Sequence, residues 1–235
     1  MSQGSVIGEE IARFDALAGH WWDPDGPMRP LHMMNPPRAA WVAARVCRHL
    51  GAGVPILDVG CGAGLLAEAL AKDGFAVTGL DAGAEVIEAA RAHAEGQGLS
   101  LTYRQGTAEA LAAEGAKFPV VTALEVIEHV ADPAAFLASL KDLLAPGGLL
   151  FLSTLNRTPQ SYAVAKLGAE YLLRLLPVGT HDWKKFLRPV ELGALCRETG
   201  LRLAETAGLS YSPLARGFKV SRDLSINYMA MAVAD

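Results

Sequence analysis

Short apolar runs alternating with amphipathic windows constrain this chain more than any other feature. Residues 54–59, 75–80, 99–104, 118–124 and 148–153 read as strands, and residues 65–73, 84–95 and 133–144 between them carry helical periodicity. Near-continuous apolar strands separated by helices are the pattern of βαβ units, in which a parallel sheet is covered on both faces. The expected fold is therefore a doubly wound α/β domain. Asp132-Pro133 supplies an N-cap and a proline at the first helical position, and Ala145-Pro146-Gly147-Gly148 supplies turn residues before the next strand.

Two segments stand outside this alternation. Residues 1–53, with helical patterns near 4–18 and 38–50, read as an N-terminal helical cap on a core spanning 54–235. A helical insertion, expected to act as a lid, occupies about residues 156–188. Beyond it, 189–199 reads as a helix, and 201–209 and 226–233 as strands joined by a turn-rich stretch over 210–225. That makes a sheet of seven strands, mostly parallel with an antiparallel edge.

Composition excludes several classes. With 51% hydrophobic and 20% charged residues the chain folds and is not disordered. Lys and Arg number 21 against 25 Asp and Glu, a net charge of −4, which argues against a nucleic-acid-binding surface. Cys47, Cys61 and Cys196 contain no CxxC pair, so neither a disulfide framework nor a thiolate zinc site is expected. The N-terminus has no basic region followed by an apolar run and carries Glu9 and Glu10, so a cytoplasmic location is expected.

The first strand ends in Leu57-Asp58-Val59-Gly60-Cys61-Gly62-Ala63-Gly64, a glycine-rich turn that feeds a helix. Glycines let a ligand approach the main chain, and a helix N-terminus favours negative charge. One strand later Thr78-Gly79-Leu80-Asp81 places an acid where it could accept hydrogen bonds from a ribose diol. Glycine turns also serve structure alone, and a dinucleotide cofactor is the competing reading. The dinucleotide pattern needs GxGxxG, however, whereas this turn is GxGxG. The segment resembles the first motif of class I S-adenosylmethionine-dependent methyltransferases, which have a Rossmann-like fold. That resemblance implies that Gly60, Gly62 and Gly64 lie against S-adenosylmethionine and that Asp81 holds its ribose hydroxyls. Asp58 would order the turn or meet the cofactor's ammonium, and Cys61 would be structural.

After the fourth strand stands Ala123-Leu124-Glu125-Val126-Ile127-Glu128-His129-Val130. Glu125, Glu128 and His129 have the donor types of a divalent-metal site. Equally, His129 could remove a proton from a substrate hydroxyl with Glu125 or Glu128 orienting it, or the set could be loop architecture. Leu124 would form part of an adenine wall.

Longer stretches resemble the ubiquinone-biosynthesis O-methyltransferase family over about residues 8–230. They include Phe14-Asp15-Ala16-Leu17-Ala18, Trp21-Trp22-Asp23, Pro30-Leu31-His32, Asn35-Pro36 and Arg38. Others are Ser153-Thr154-Leu155-Asn156-Arg157, Gly168-Ala169-Glu170-Tyr171, Gly179-Thr180-His181-Asp182, Lys185-Phe186 and Asn227-Tyr228-Met229. The resemblance implies O-methylation of 2-polyprenyl-6-hydroxyphenol and 3-demethylubiquinol. It implies that Arg38 reaches the cofactor, with its methionine carboxylate as the natural partner, alongside Gly60, Asp81 and Leu124. It also implies a divalent metal, magnesium, on Glu125, Glu128 and His129. Two other readings are a methyltransferase for a different aromatic or quinone acceptor and a non-catalytic, cofactor-binding scaffold of a quinone-synthesis complex.

From 160 to 176 the only charges, Lys166, Glu170 and Arg174, fall at i, i+4 and i+8, one narrow polar stripe on a largely apolar helix. Trp183, Lys184, Lys185, Phe186 and Arg188 follow, an interfacial mixture. Burial under another element and peripheral membrane contact through about 160–188, on the inner face, both fit. No run reaches the ~18 uncharged apolar residues of a membrane-spanning helix. Trp21, Trp22 and His32 are candidates for the substrate pocket or core anchors, and His181-Asp182 for loop structure or substrate contacts.

Overall fold

A computed structural model describes residues 6–163, 183–212 and 217–234. The five apolar runs form parallel strands β1 (Pro55–Val59), β2 (Ala76–Asp81), β3 (Leu101–Gln105), β4 (Phe118–Leu124) and β5 (Leu144–Leu155). Three more follow: β6 (Leu201–Ser212), β7 (Gly217–Ser221) and β8 (Asn227–Ala234), and the sheet order is β3-β2-β1-β4-β5-β8-β6-β7. β8 inserts antiparallel between β5 and β6, and β7 closes the edge as a hairpin partner of β6. Among the described residues the sheet thus has eight strands, one more than the sequence pattern gives. The additional strand lies within residues 210–225, where serine, glycine and charged residues conceal the alternation of Phe218 and Val220 with Lys219.

The helices are α1 (Gly8–Asp15), α2 (Arg29–Leu50), α3 (Leu65–Lys72), α4 (Ala84–Ala94), α5 (Ala108–Ala113), α6 (Pro133–Asp142), α7 (Pro159–Tyr162) and α8 (Pro189–Glu198). Leu137, Leu140, Leu192 and Cys196 of α6 and α8 pack in one core, and Trp41, Val42, Val46, Leu66 and Leu70 of α2 and α3 in another. Asp132 caps α6, accepting from Ala134 N at 2.9 Å and Ala135 N at 3.1 Å. α2 begins at Arg29 and runs through Pro36 and Pro37, although each proline removes a helix donor. Tertiary contacts hold it from outside: Asn35 Nδ2 donates to Leu65 O at 2.7 Å, and Arg38 reaches across to Glu125.

The strand order reverses at β1 and β4, which opens a crevice beyond their carboxyl ends. The N-terminal segment packs beside it. Trp21 and Met28 join Ala63, Leu65, Val86 and Ala90 in a small core, Val6 bridges Val130, and Asp15 Oδ1 accepts from Val86 N at 3.2 Å in the first turn of α4. The charged stripe of Lys166, Glu170 and Arg174, and the pair His181-Asp182, lie outside the described residues.

Candidate active site

The turn after β1 is built from three left-handed glycines, Gly60 (φ 69°), Gly62 (φ 53°) and Gly64 (φ 93°). Gly60 N and Cys61 N donate to Leu80 O at 2.7 and 3.2 Å, which ties the turn to the end of β2. A Cβ at Gly60 would lie 2.5 Å from Val126, and one at Gly62 would lie 2.2 Å from Trp21. These bare backbone faces therefore touch the N-terminal segment and the loop after β4 directly.

Asp81 accepts from Gly62 N through Oδ2 and from Gly83 N through Oδ1, each at 2.9 Å. Its carboxylate joins the glycine turn to the start of α4, with lone pairs left for a further donor. Burial raises its pKa above the ordinary value, and the two amides oppose that rise. Behind the turn, Asp58 is buried and accepts from Thr122 Oγ1 at 2.6 Å through Oδ1, while Oδ2 has no partner. Burial pushes its carboxyl up to about 7, the Thr122 hydrogen bond opposes the rise and the Asp81 charge adds to it. Asp58 thus faces the strand beneath the turn, a placement suited to ordering it.

Leu124 closes β4 half-buried, paired with Ser153. Glu125 follows with φ 58°, the sole non-glycine at positive φ among the described residues. Its Oε1 accepts from Arg38 Nη2 at 2.6 Å and from Ser153 Oγ at 2.7 Å. Glu128 and His129 sit on the 3₁₀ turn Ile127–His129. Both Glu128 oxygens are buried, with the buried Thr154 hydroxyl beside them. Burial above all, with the Glu125 charge, pushes the Glu128 carboxyl up to about 7 against the pull of His129.

His129 Nδ1 lies 3.1 Å from Glu10 Oε2, and its ring meets Phe14 edge-on at 5.3 Å. Burial alone would lower its pKa, but the Glu10 hydrogen bond and the charges of Glu128, Glu10 and Glu125 outweigh it and raise the imidazole above 6.5.

The three residues of the expected metal set do not form a ligating group in this arrangement. Among the described residues no three His, Cys, Asp or Glu side chains gather to hold a metal ion. Glu125 is committed to Arg38 and Ser153, His129 turns toward Glu10, and Glu128 is buried. The orienter of His129 is Glu10, 119 residues away, and neither Glu125 nor Glu128 takes that place. No local spacing in the sequence announces this partner. Trp22 donates from Nε1 to Ala63 O at 3.0 Å and stacks on His93 at 3.5 Å, so it anchors the glycine turn, and His32 Nε2 meets Trp21 O at 2.8 Å.

Residues 35–206 fit the methyltransferase domain family. The chain is 50% identical over 221 residues to the ubiquinone biosynthesis O-methyltransferase of Azotobacter vinelandii, covering 94% of each chain. It is 48% identical over 227 residues to that of Stutzerimonas stutzeri, covering 96% of this chain and 97% of the relative. Among solved structures, magnesium protoporphyrin IX methyltransferase from Synechocystis with bound SAH shares the fold, with a TM-score of 0.65, 20% identity and coverage of 95% and 94%. The fold is that of a class I S-adenosylmethionine-dependent methyltransferase. Within that class the chain belongs to the ubiquinone biosynthesis O-methyltransferase family.

Proposed function

We propose that this enzyme transfers the methyl group of S-adenosylmethionine to a phenolic oxygen of polyprenylated catechols and phenols, 3-demethylubiquinol and 2-polyprenyl-6-hydroxyphenol. The observation that carries the reading is the convergence of the Gly60–Gly64 turn, Asp81 and the Arg38–Glu125 pair on one crevice, in a chain 48–50% identical to its relatives along nearly its whole length. In this reading the main chain of the turn borders the cofactor, its glycine faces being taken by Val126, Trp21 and Tyr103, while Asp81 accepts from its ribose hydroxyls, Leu124 borders its adenine and Arg38 meets its carboxylate. Asp58 acts from behind by ordering the turn.

Methyl transfer from a sulfonium is an in-line displacement, so the protein's work is to align the two reactants and help ionise a phenol of pKa near ~10. His129 takes the phenolic proton on Nε2. Glu10 holds the other ring nitrogen and, by stabilising the imidazolium, strengthens the base. Glu128, kept protonated by its surroundings up to about 7, adds an acid beside it. No step is routed through a metal ion: Glu125 is held by Arg38 and Ser153, and His129 by Glu10.

The substrate's polyprenyl tail belongs in a bilayer, and no described helix is long and apolar enough to cross one. Peripheral contact through about 160–188 on the inner face suits both facts. Tyr162, exposed and edge-on to Trp183 at 5.9 Å, supports it, as do Lys184 and Lys185. A quinone-synthesis complex would pass such a substrate between active sites.

The test supplies methyl-labelled S-adenosylmethionine and a short-chain polyprenyl catechol in micelles. Label in the extracted aryl methyl ether is the expected result. Label on ring carbon, or none with the catechol while another phenol accepts it, would overturn the substrate assignment.

A further inference from the structure

Arg38 is buried, with 5% of its side chain exposed, yet receives only part of what a guanidinium needs. Nη2 is held by Glu125 Oε1 at 2.6 Å and lies 3.5 Å from Met34 Sδ, whereas Nε is buried with no acceptor. An unmet donor on a buried cation is rare enough to need an explanation, and an acceptor that arrives with a ligand supplies one.

Glu125, the cation's partner, is itself held unusually. At φ 58° an ordinary side chain is disfavoured and glycine or asparagine is the common occupant. The fold keeps a glutamate there and fastens it at both ends. Glu125 N donates to Ser153 O and to Ser153 Oγ, each at 3.0 Å, and the same hydroxyl donates back to Oε1 at 2.7 Å. A strained residue persists where its surroundings over-determine it, and such residues gather at functional sites. The next residue, Val126, lies against Gly60 of the cofactor turn, so the pair stands beside the face where the cofactor's amino-acid end would lie.

We propose that Glu125 is a positioning residue for the cofactor: clamped by Ser153, it fixes the Arg38 guanidinium so that its remaining N–H groups meet the carboxylate of the methionine moiety. This rests on the S-adenosylmethionine reading above. It gives Glu125 a role that needs no metal ligation. It also predicts that shape and acceptor capacity at position 125 matter more than its ability to bind a cation, because the glutamine amide oxygen can still accept from Arg38 and Ser153.

The experiment measures binding of S-adenosylhomocysteine and of 5′-methylthioadenosine by calorimetry, in EDTA, for the whole chain. The second ligand keeps the nucleoside and thioether but has no amino-acid end. Glu125→Gly suits the backbone at φ 58° and so favours a folded variant that lacks the carboxylate. It is expected to weaken S-adenosylhomocysteine binding by at least about tenfold, the scale of a charged hydrogen bond, and leave methylthioadenosine within about twofold. Glu125→Gln should retain most of the affinity. Arg38→Met should lose the same selectivity, and adding Glu125→Gly to it should cost nothing further, since the two act as one unit. The double variant also removes both charges of the pair, so it reports even if the single glycine variant unfolds. Equal losses for both ligands, additive losses in the double variant, or unchanged S-adenosylhomocysteine affinity in Glu125→Gly would overturn the proposal. If the unmodified protein binds neither nucleoside, the cofactor reading itself fails.

Discussion

Placing a methyl group on Gly62 tests how tightly the N-terminal segment seats on the cofactor turn. An alanine there must adopt φ 53°, and its Cβ would lie 2.2 Å from Trp21 Cζ2 and 2.7 Å from Cη2. Left-handed backbone costs an L-residue roughly 1–2 kcal/mol. Trp21 is only 5% exposed, and moving its ring aside forfeits apolar burial of about 1.5–3 kcal/mol. Together these give about 2.5–5 kcal/mol, a large share of the ~5–15 kcal/mol that holds a domain together, or roughly 5–20 °C in melting temperature for a chain of this size. Gly74→Ala isolates the backbone contribution, because Gly74 also has positive φ (90°) but nothing within 4 Å of its would-be Cβ. Circular-dichroism melts of the two variants, with tryptophan emission following Trp21, give the comparison. The reasoning predicts that Gly62→Ala melts well below Gly74→Ala and shows red-shifted emission. Equal melting temperatures would refute it.

Three further outcomes follow from the site. Glu10→Gln should lower the His129 pKa, so the acidic limb of the kcat/KM profile moves to lower pH and the plateau falls with the weaker base; an unmoved limb would remove Glu10 from the mechanism. Asp58 has its pKa raised from 3.8 to about 7, so the stability it contributes is full below pH 3.8 and is lost as pH rises through 7; Asp58→Asn should shrink the difference in melting temperature between pH 5 and pH 8 by an amount equivalent to at most ~3 kcal/mol. Thr122→Val deletes the one hydrogen bond that Asp58 accepts and should cost about 1–3 kcal/mol at pH 8 but less at pH 5, as urea titrations at the two pH values would register.

Much of this molecule is legible in its sequence because local physics fixes it. The runs that became β1, β2, β4 and β5 are apolar enough to be largely buried, and Asp132-Pro133 starts α6 where capping chemistry puts it. The glycine turn and Asp81 are equally local, one strand apart in sequence and joined through the Gly62 amide. What escapes is what tertiary contact decides. α2 passes through Pro36 and Pro37 because Asn35 and Arg38 are anchored from neighbouring elements, so a reading that stops helices at prolines starts it late. β7 is too short and polar to stand out without β6 beside it. Glu125, Glu128 and His129 have the composition of a metal site, but composition does not say where carboxylates point. Arg38 and Ser153 claim the first, and Glu10, from the far end of the chain, claims the histidine.

The central claim is that S-adenosylmethionine binds in the crevice between β1 and β4. A crystal structure with S-adenosylhomocysteine tests it most directly. Expected are ribose hydroxyls on Asp81, the nucleoside along Gly60–Gly64 and Leu124, and the carboxylate on the Arg38 guanidinium with Glu125 still at its back. A nucleoside bound elsewhere, such as the groove of about 410 Å³ lined by His49, Arg202 and Glu205, would contradict it, as would a carboxylate turned away from Arg38.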